Sequence, residues 1–225
     1  MHLSYKWGIA VSWILVLAGW YLGLFVSPTD SFQGDVYRII YVHVPAAFAA
    51  FFTAFVLFIA SLTALFRSRN AQARYWGIAS AEVGLALTCL TLVTGMIWGK
   101  PTWGVFWTWD ARLTTTFLLA IMYAGYMLLY TSIGDLSTRA KASAILGILI
   151  FADVPVIYKS VQWWRTLHQP QTLIRPDGAP STMDPTMRGI LLFCIFGMLV
   201  LAVELIRLRA RLHREKELQE EALLS

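Results

Sequence analysis

Charged side chains are scarce in this sequence of 225 residues. Asp, Glu, Lys and Arg make up 14% of it and hydrophobic residues 58%, whereas a soluble domain carries about 25% charged residues. The apolar residues are gathered into runs of roughly the 20 residues that cross a bilayer as a helix. The scarcity of charge therefore excludes an ordinary soluble domain, and the runs predict an all-α, polytopic membrane protein.

Cysteine is equally rare, with only Cys89 and Cys194. Each lies in an apolar run, and we expect both to be buried, since a free thiol packs like a small apolar group. The sequence lacks Cys-x-x-Cys-His, which excludes a c-type cytochrome. It also lacks a Gly-x-x-x-x-Gly-Lys loop, which excludes nucleotide hydrolysis by that route. The N-terminal run is not expected to be a cleavable signal, because no small-residue cleavage site follows it.

Six transmembrane helices are predicted from the apolar runs and the polar or proline-containing breaks between them. They form a membrane domain over residues 1–206, with a tryptophan-rich segment at 98–114 and a long connection at 159–186. The charged tail, 207–225, is expected to be a solvated helical extension, with docking of a cytoplasmic partner as the alternative. The predicted spans are residues 7–26, 39–66, 75–97, 113–133, 142–158 and 187–206.

Lysine and arginine are distributed unevenly between the two sides of such a bundle. The loops at 67–74 and 134–141, together with the two terminal segments, hold eleven of the eighteen basic residues. The positive-inside rule therefore places both termini in the cytoplasm. In that topology the segment 98–114, His43 and His168 all lie on or near the outer face of the membrane.

Four tryptophans stand within twelve residues of the outer segment. Anchoring at the membrane interface explains one or two of them. A cluster of four, broken by Gly99, Pro101 and Gly104, favours a platform for a large flat ligand, which aromatic rings cover well. We predict a short helix across 103–110 in the interface plane, although an extended strand would also bring three tryptophans to one face. The four are Trp98, Trp103, Trp107 and Trp109.

Two of the four histidines, His43 and His168, flank this segment on the predicted outer face. Neutral imidazole is a standard axial ligand of haem iron, and two imidazoles would fill both axial positions. Zinc fits poorly, because it prefers four ligands and no cysteine or carboxylate cluster lies nearby. We therefore predict haem held by His43 and His168 and covered by the tryptophans. His2 and His213 fall in the terminal segments and are expected to be solvated.

The two propionates of haem require basic partners. Five basic residues of the predicted outer face are candidates, and arginine is favoured because it can bind a carboxylate through two hydrogen bonds. Contact with lipid headgroups is the alternative for each. Asp110 either pairs with Arg112 or accepts a tryptophan N–H, and both interpretations stay open. The five basic residues are Arg38, Lys100, Arg112, Arg165 and Arg175.

Three carboxylates lie inside predicted spans, where an ionisable side chain is costly and usually faces a partner or a polar cavity. Glu204 lies beside Arg207 near the cytoplasmic end, so we expect an ion pair or a headgroup contact. Asp153, with Pro155, is expected to shape the roof of the outer cavity. For Glu82, a contact between helices or subunits and a role as a proton or substrate group are equally open.

Residues 103–110 match the signature Trp-Gly-x-x-Trp-x-Trp-Asp of the tryptophan-rich haem-handling membrane proteins. Two further segments, Tyr-Val-His-Val-Pro-Ala-Ala at 41–47 and Trp-Trp-Arg-Thr-Leu-His-Gln-Pro at 163–170, resemble the branch called cytochrome c maturation protein C, or haem exporter protein C. The resemblance covers nearly the whole chain, and the tail is its least diagnostic part.

The resemblance implies a subunit of the bacterial inner membrane that is not an enzyme. It implies haem b held transiently and non-covalently on the periplasmic face, with His43 and His168 as axial ligands, and passed to a periplasmic haem chaperone. The family's other partners are an ATP-hydrolysing subunit, a second multispan subunit and a small single-span subunit, and no nucleic acid. The remaining candidate site residues are Trp98, Trp103, Gly104, Trp107, Trp109, Asp110, Arg112, Arg38 and Arg165.

Two other functions are weighed against this one. A membrane electron carrier would bind the same haem, but would normally use a second haem and a second histidine pair deeper in the membrane. A transporter with an aromatic gate would need broken helices and polar groups near the middle of the bilayer, and the apolar spans offer little of either. Haem presentation is the leading hypothesis.

Overall fold

The computed structural model describes residues 3–67, 70–168, 173, 178 and 181–224, and within these residues it contains six long helices and no strand. All six are long and apolar enough to cross a membrane. The prediction of an all-α, polytopic membrane protein is therefore confirmed. The helices are α1 (Leu3–Tyr21), α2 (Ile40–Phe66), α3 (Ala71–Trp103), α4 (Ala111–Ser132), α5 (Leu136–Trp163) and α6 (Pro185–Leu224).

Side-chain caps fix where three of these helices begin. The side-chain oxygens of Asn70, Asp110 and Asp135 accept hydrogen bonds from backbone N–H groups in the first turns of α3, α4 and α5. Such groups have no partner inside the helix, so an Asn or Asp at this position stabilises the start. Two short helical turns, Leu22–Val26 and Asp35–Ile39, flank the break between α1 and α2.

Helix α2 is the centre of the bundle. It packs against α3, α5 and α6, while α1 lies on α6 and α4 lies on α3 and α5. Glycines allow close approaches between the helices. Tyr123 of α4, for example, lies directly against Gly84 of α3. The Tyr123 hydroxyl lies 3.0 Å from Thr53 Oγ1 and donates to the Ala50 carbonyl of α2 at 3.1 Å. Tyr123 therefore joins three helices.

We expect Gly84→Ala to destabilise the bundle, because the new Cβ would lie 2.6 Å from Cε1 of the buried Tyr123 ring. Overpacking of this kind typically costs about 1–3 kcal/mol. Thermal unfolding in detergent should show a Tm several degrees lower. Gly189→Ala is the matched control, since nothing lies within 4 Å of a Cβ there. An unchanged Tm for the Gly84 variant would show that the packing of Tyr123 does not require a glycine at position 84.

Three helices are longer than the apolar runs predict. α3 continues to Trp103, α5 runs from Leu136 to Trp163, and α6 continues to Leu224. Hydropathy marks only the part of a helix that crosses the hydrocarbon, whereas the backbone hydrogen bonds that define the helix continue beyond it.

The predicted short helix across 103–110 is wrong. Trp103 is the last residue of α3, and Gly104 follows with φ = 80°, its N–H donating to the Lys100 carbonyl at 3.0 Å. This left-handed conformation favours glycine and ends a helix. The chain from Gly104 to Asp110 is then non-helical, and Asp110, in an extended conformation with ψ = 146°, caps the start of α4.

Two of the three carboxylates inside the helices form ion pairs. Glu82 of α3 accepts two hydrogen bonds from Arg209 of α6, at 2.6 and 2.8 Å. Glu204 accepts one from Arg207 at 2.9 Å, which confirms the expected pair. For Glu82, the contact with Arg209 favours a role in holding α3 to α6.

The tail is not a free extension, because α6 continues without a break and packs along α3. His213 Nε2 lies 3.0 Å from Glu82 Oε1. Arg74, which is buried, donates to Glu217 Oε1 at 3.0 Å. The partners of His213 and Glu217 lie on α3, where spacing within the tail cannot reveal them, whereas Arg211 pairs with Glu215 one turn later in the tail itself, at 2.6 Å.

The expectation of a helical extension is confirmed, since α6 continues to Leu224. The expectation that His213 is solvated is wrong, and the tail is solvated on one face only, where Arg207, Leu212 and Glu215 are exposed.

The two cysteines differ in burial. Cys194 is buried, but Cys89 is exposed on α3, so the expectation that both are buried is wrong for Cys89. It shares an outward-facing stripe with Val93 and Ile97. In a membrane the outer face of a helix is as apolar as its core face, since lipid tails are themselves apolar. Composition alone does not separate the two faces.

Candidate functional site

A cavity of about 380 Å³ lies within the bundle, lined by residues of α2 to α6 and of the two connections nearest them. We call the end of the bundle where α3 and α5 finish and α2, α4 and α6 begin the cavity end, and the opposite end the tail end. Ligand cavities usually measure about 300–1,000 Å³, are mostly apolar and contain a few placed polar groups. The lining here has that character: Phe48, Phe51, Leu92, Leu119 and Leu191 surround two histidines and one arginine.

His43 enters this cavity from the first turn of α2. Its Nδ1 lies 3.0 Å from Thr94 Oγ1 of α3. The Thr94 hydroxyl donates to the Leu90 carbonyl at 2.7 Å, so its oxygen accepts the Nδ1–H of His43. This arrangement leaves Nε2 of His43 with a free lone pair. Gly95 gives the ring its place, because a Cβ at that position would lie 3.1 Å from His43 Cε1.

His168 reaches the same cavity from the connection after α5. Its Nδ1 lies 3.2 Å from Asp110 Oδ1, and the carboxylate can only accept, so Nδ1 carries the proton and Nε2 is again free. Burial lowers the pKa of His168 to about 4, an effect that Asp110 opposes and Arg112 adds to. At pH 7 the imidazole is therefore neutral, which is the form that binds a metal.

Asp110 itself is nearly enclosed, with 9% of its surface exposed. Burial raises the pKa of its carboxyl, but the hydrogen bond from Thr166 and the attraction of His168 outweigh that effect, and the pKa lies below the usual value. Asp110 is therefore ionised at pH 7. It neither pairs with the Arg112 guanidinium by hydrogen bond nor accepts a tryptophan N–H within the described residues; its partners are backbone N–H groups, Thr166 and His168.

The four tryptophans separate into two pairs. Trp98 and Trp103, on the last turns of α3, line the cavity. Trp98 meets His43 edge to face at 5.7 Å between ring centroids, and Trp103 meets His168 in the same way at 4.9 Å. The Nε1–H of Trp98 donates to Gln33 Oε1 at 2.7 Å. Each histidine that enters the cavity thus has its own tryptophan.

Trp107 and Trp109 lie outside the cavity lining. They contact each other edge to face at 5.6 Å, and Trp107 also contacts Phe117 of α4. Trp109 is 76% exposed and Phe106 55%. We call residues 105–109 the exposed aromatic segment. Gly104, which ends α3, lets the chain turn from the cavity wall into this segment.

Arg112 is the basic residue that lines the cavity. Its Nη2 donates to the Tyr158 carbonyl at 3.2 Å, and its buried Nε has no hydrogen-bond partner among the described residues. Arg38 lies elsewhere, donating to Asp35 at 2.9 Å and to the Leu24 carbonyl at 3.0 Å, so that it ties the end of α1 to the start of α2.

The other basic candidates do not line the cavity. Lys100 donates to the Gly104 carbonyl at 2.9 Å, and Arg165 is exposed. Arg175 and His2 lie outside the described residues. Asp153 is buried without a hydrogen-bond partner for Oδ2 in the described part of the chain, yet neither it nor Pro155 lines the cavity, to which Ile157 one turn later contributes.

Thr94, Gln33 and Gly95 are site residues that the sequence does not single out. Each is an ordinary residue type in its context, and each acts by contact with a residue distant in the chain: Thr94 and Gly95 with His43, Gln33 with Trp98. Only the packing of α2 on α3 brings them together. No motif in the sequence carries a signal for these contacts.

Together these features define a class: a polytopic membrane protein whose bundle encloses an aromatic cavity lined by two histidines. The family model for heme exporter protein C matches residues 2–223. The chain therefore belongs to the heme exporter protein C family.

Individual relatives agree with this assignment. The chain is 40% identical over 204 residues to heme exporter protein C of Haemophilus influenzae, covering 91% of this chain and 82% of the relative. It is 37% identical over 205 residues to that of Escherichia coli K12, covering 91% and 81%. It is also 38% identical over 165 residues to a putative cytochrome c biosynthesis ccmC-like mitochondrial protein of Marchantia polymorpha, covering 73% and 69%.

Proposed function

We propose that this chain binds haem b, without a covalent bond, in the cavity between His43 and His168 and presents it to a periplasmic haem chaperone during c-type cytochrome biogenesis. The observation that carries the proposal is the arrangement of the two imidazoles. They come from different parts of the chain, line one aromatic cavity and use Nδ1 for protein hydrogen bonds. Both Nε2 atoms therefore remain as ligands for iron, as bis-histidine coordination of haem requires.

The other cavity residues suit the rest of the haem molecule. Trp98 and Trp103 offer large apolar rings to the porphyrin. Arg112, with a buried Nε that has no partner among the described residues, is the basic group placed to receive a propionate. No group of three or more His, Cys, Asp or Glu residues that could hold a metal ion by itself occurs in the described parts of the chain. The pair of histidines thus suits a metal that brings its own equatorial ligands.

In the proposed topology the cavity end faces the periplasm and both termini are cytoplasmic. The distribution of basic residues supports this, because Arg74, Arg139 and Arg209 lie at the tail end, and the positive-inside rule places such residues in the cytoplasm. Family membership supports the bacterial inner membrane as the location.

The exposed aromatic segment is the proposed contact for the haem chaperone. Trp107 and Trp109 stand next to Trp103 in the chain but project outside the cavity, so an acceptor bound to them would lie close to one edge of the haem. Arg165, exposed near His168, is available to the same partner. We further propose that the chain works, without enzymatic activity of its own, beside an ATP-hydrolysing subunit, a second multispan subunit and a small single-span subunit.

The electron-carrier alternative lacks support. Such a protein would use a second histidine pair, but the remaining described histidine, His213, is held by Glu82 at the tail end. The observations favour one haem site at one end of the bundle.

Filling the cavity tests this proposal without removing a ligand. Gly95 lines the cavity, and Gly95→Leu would place a side chain against His43 and in the space of the porphyrin. We expect the haem that co-purifies with the wild-type protein to fall at least tenfold in this variant. Gly189→Leu, at an open position on α6, should retain it. Full haem content in the Gly95 variant would show that haem binds outside this cavity.

A further inference from the structure

The two histidines differ in what holds their Nδ1 atoms. His43 donates to a neutral hydroxyl, Thr94 Oγ1, at 3.0 Å. The Nδ1 of His168 lies 3.2 Å from a carboxylate oxygen, Asp110 Oδ1, and 3.3 Å from the hydroxyl oxygen of Thr166. A carboxylate acceptor draws the Nδ1 proton more strongly, gives the imidazole more anionic character and strengthens its bond to a metal through Nε2. The Thr94 hydroxyl is uncharged and gives the imidazole of His43 less anionic character.

Asp110 also fixes the position of His168. Its Oδ1 accepts the Arg112 N–H at 2.8 Å, which caps α4. Its Oδ2 accepts the Leu167 N–H at 3.0 Å, from the residue that precedes His168. One carboxylate thus joins the start of α4, the backbone beside His168 and the His168 ring. Asp110 is the last residue of the Trp-Gly-x-x-Trp-x-Trp-Asp motif, so the motif contributes to the site by holding His168 in position.

We propose that Asp110 is the positioning residue of His168 and that it makes the two histidine bonds to iron unequal. His168 would be the stronger ligand, and His43 would be the ligand that is replaced first. The inference rests on the proposed haem function. A competing ligand would replace His43 Nε2 on the iron, so that one bond to iron would be exchanged for another with no change in oxidation state. His43 keeps its proton on Nδ1 and its contact with Thr94.

The competing ligand in the experiment is carbon monoxide, added to the dithionite-reduced, haem-loaded full-length protein. Carbon monoxide replaces one histidine, and photolysis then leaves five-coordinate iron bound to the other. The iron–histidine stretching band of that species, measured by resonance Raman spectroscopy, reports the acceptor on Nδ1, because anionic character raises its frequency. The retained histidine can thus be identified by which hydrogen-bond variant moves the band.

We expect Asp110→Asn to lower the frequency of this band and to weaken haem retention by about 10- to 100-fold, the usual effect of removing such a partner. Asparagine remains a good N-cap for α4. Its amide NH2, however, would replace the Oδ2 that accepts the Leu167 N–H and would set two donors against each other. Asparagine also has no negative charge to attract the Nδ1 proton of His168. Thr94→Val should leave the band unchanged and weaken retention by only about 2- to 10-fold, as expected for one neutral hydrogen bond.

Asp135→Asn, at the cap of α5 on the tail end, is the control for capping alone and should change neither quantity. A band that moves with Thr94→Val and not with Asp110→Asn would make His43 the stronger ligand and overturn the inference. Wild-type behaviour of Asp110→Asn in both band and retention would overturn it as well, while leaving the proposed function intact. A wild-type protein that binds no haem would overturn both.

Discussion

The double variant His43→Ala, His168→Ala is expected to accumulate in the membrane and to carry no haem. Its cavity would still offer Trp98 and Trp103, but both bonds to iron would be gone. Each single variant should hold a five-coordinate haem with altered absorption bands and retain it at least tenfold less well. The reason is that, among the described residues, no histidine other than these two lines the cavity.

Folding should survive these changes. His43 and His168 line the cavity and make few side-chain hydrogen bonds. His43 contacts Thr94 and the Thr91 backbone, and His168 contacts Asp110 and the neighbouring Thr166. Loss of one such bond costs about 0.5–1.5 kcal/mol when the acceptor is neutral and about 1.5–3 kcal/mol when it is charged.

His213→Ala is the matched control for the histidine variants, since His213 contacts Glu82 at the opposite end of the bundle. It should keep the full wild-type absorption spectrum. Retention of six-coordinate haem by the double variant would show that iron is bound elsewhere or not by histidine at all.

Substitution of the two pairs of tryptophans is expected to impair two different steps, haem binding for one pair and haem transfer for the other. Trp98→Ala and Trp103→Ala should each lower the amount of bound haem severalfold, because these rings line the cavity and contact His43 and His168. The combined Trp107→Ala, Trp109→Ala variant should keep the haem and its spectrum, yet transfer it to the chaperone at least tenfold more slowly.

The measurement pairs haem content of the purified protein with a transfer assay to the isolated chaperone. Trp163→Ala, which removes an exposed tryptophan outside the exposed aromatic segment, serves as the control for general loss of surface aromatic area. Loss of bound haem from the Trp107, Trp109 variant would show that these two residues bind haem themselves. Failure of that variant to accumulate in the membrane would instead make them interface anchors.

Hydropathy predicted a large part of this fold. The spans follow from apolar runs, and their order places His43, His168 and the tryptophan-rich segment at one end of the bundle. The distribution of arginine and lysine predicts that this end faces the periplasm. A bundle of helices that each run from one side to the other has only two ends, so the order of the spans shows which helix ends lie together. The histidine pair was therefore within reach of the sequence.

The contacts between neighbouring helices could not be predicted from the sequence. Whether Cys89 faces lipid or core depends on the rotation of α3, and both environments are apolar, so the sequence pattern is the same for each. The division between Trp103 and Trp107 depends on the backbone turn at Gly104, and the pairing of Thr94 with His43 depends on the register of α3 against α2. Tail residues such as His213 find partners on α3 for the same reason.

The position of the iron in the haem-loaded protein, determined by cryo-electron microscopy, is the most direct test of haem binding in the cavity. We predict iron between His43 Nε2 and His168 Nε2, with the porphyrin against Trp98 and Trp103 and a propionate near Arg112. Density for the porphyrin on the outer side of Trp107 and Trp109, with the space between the two histidines filled by side chains or water, would contradict it.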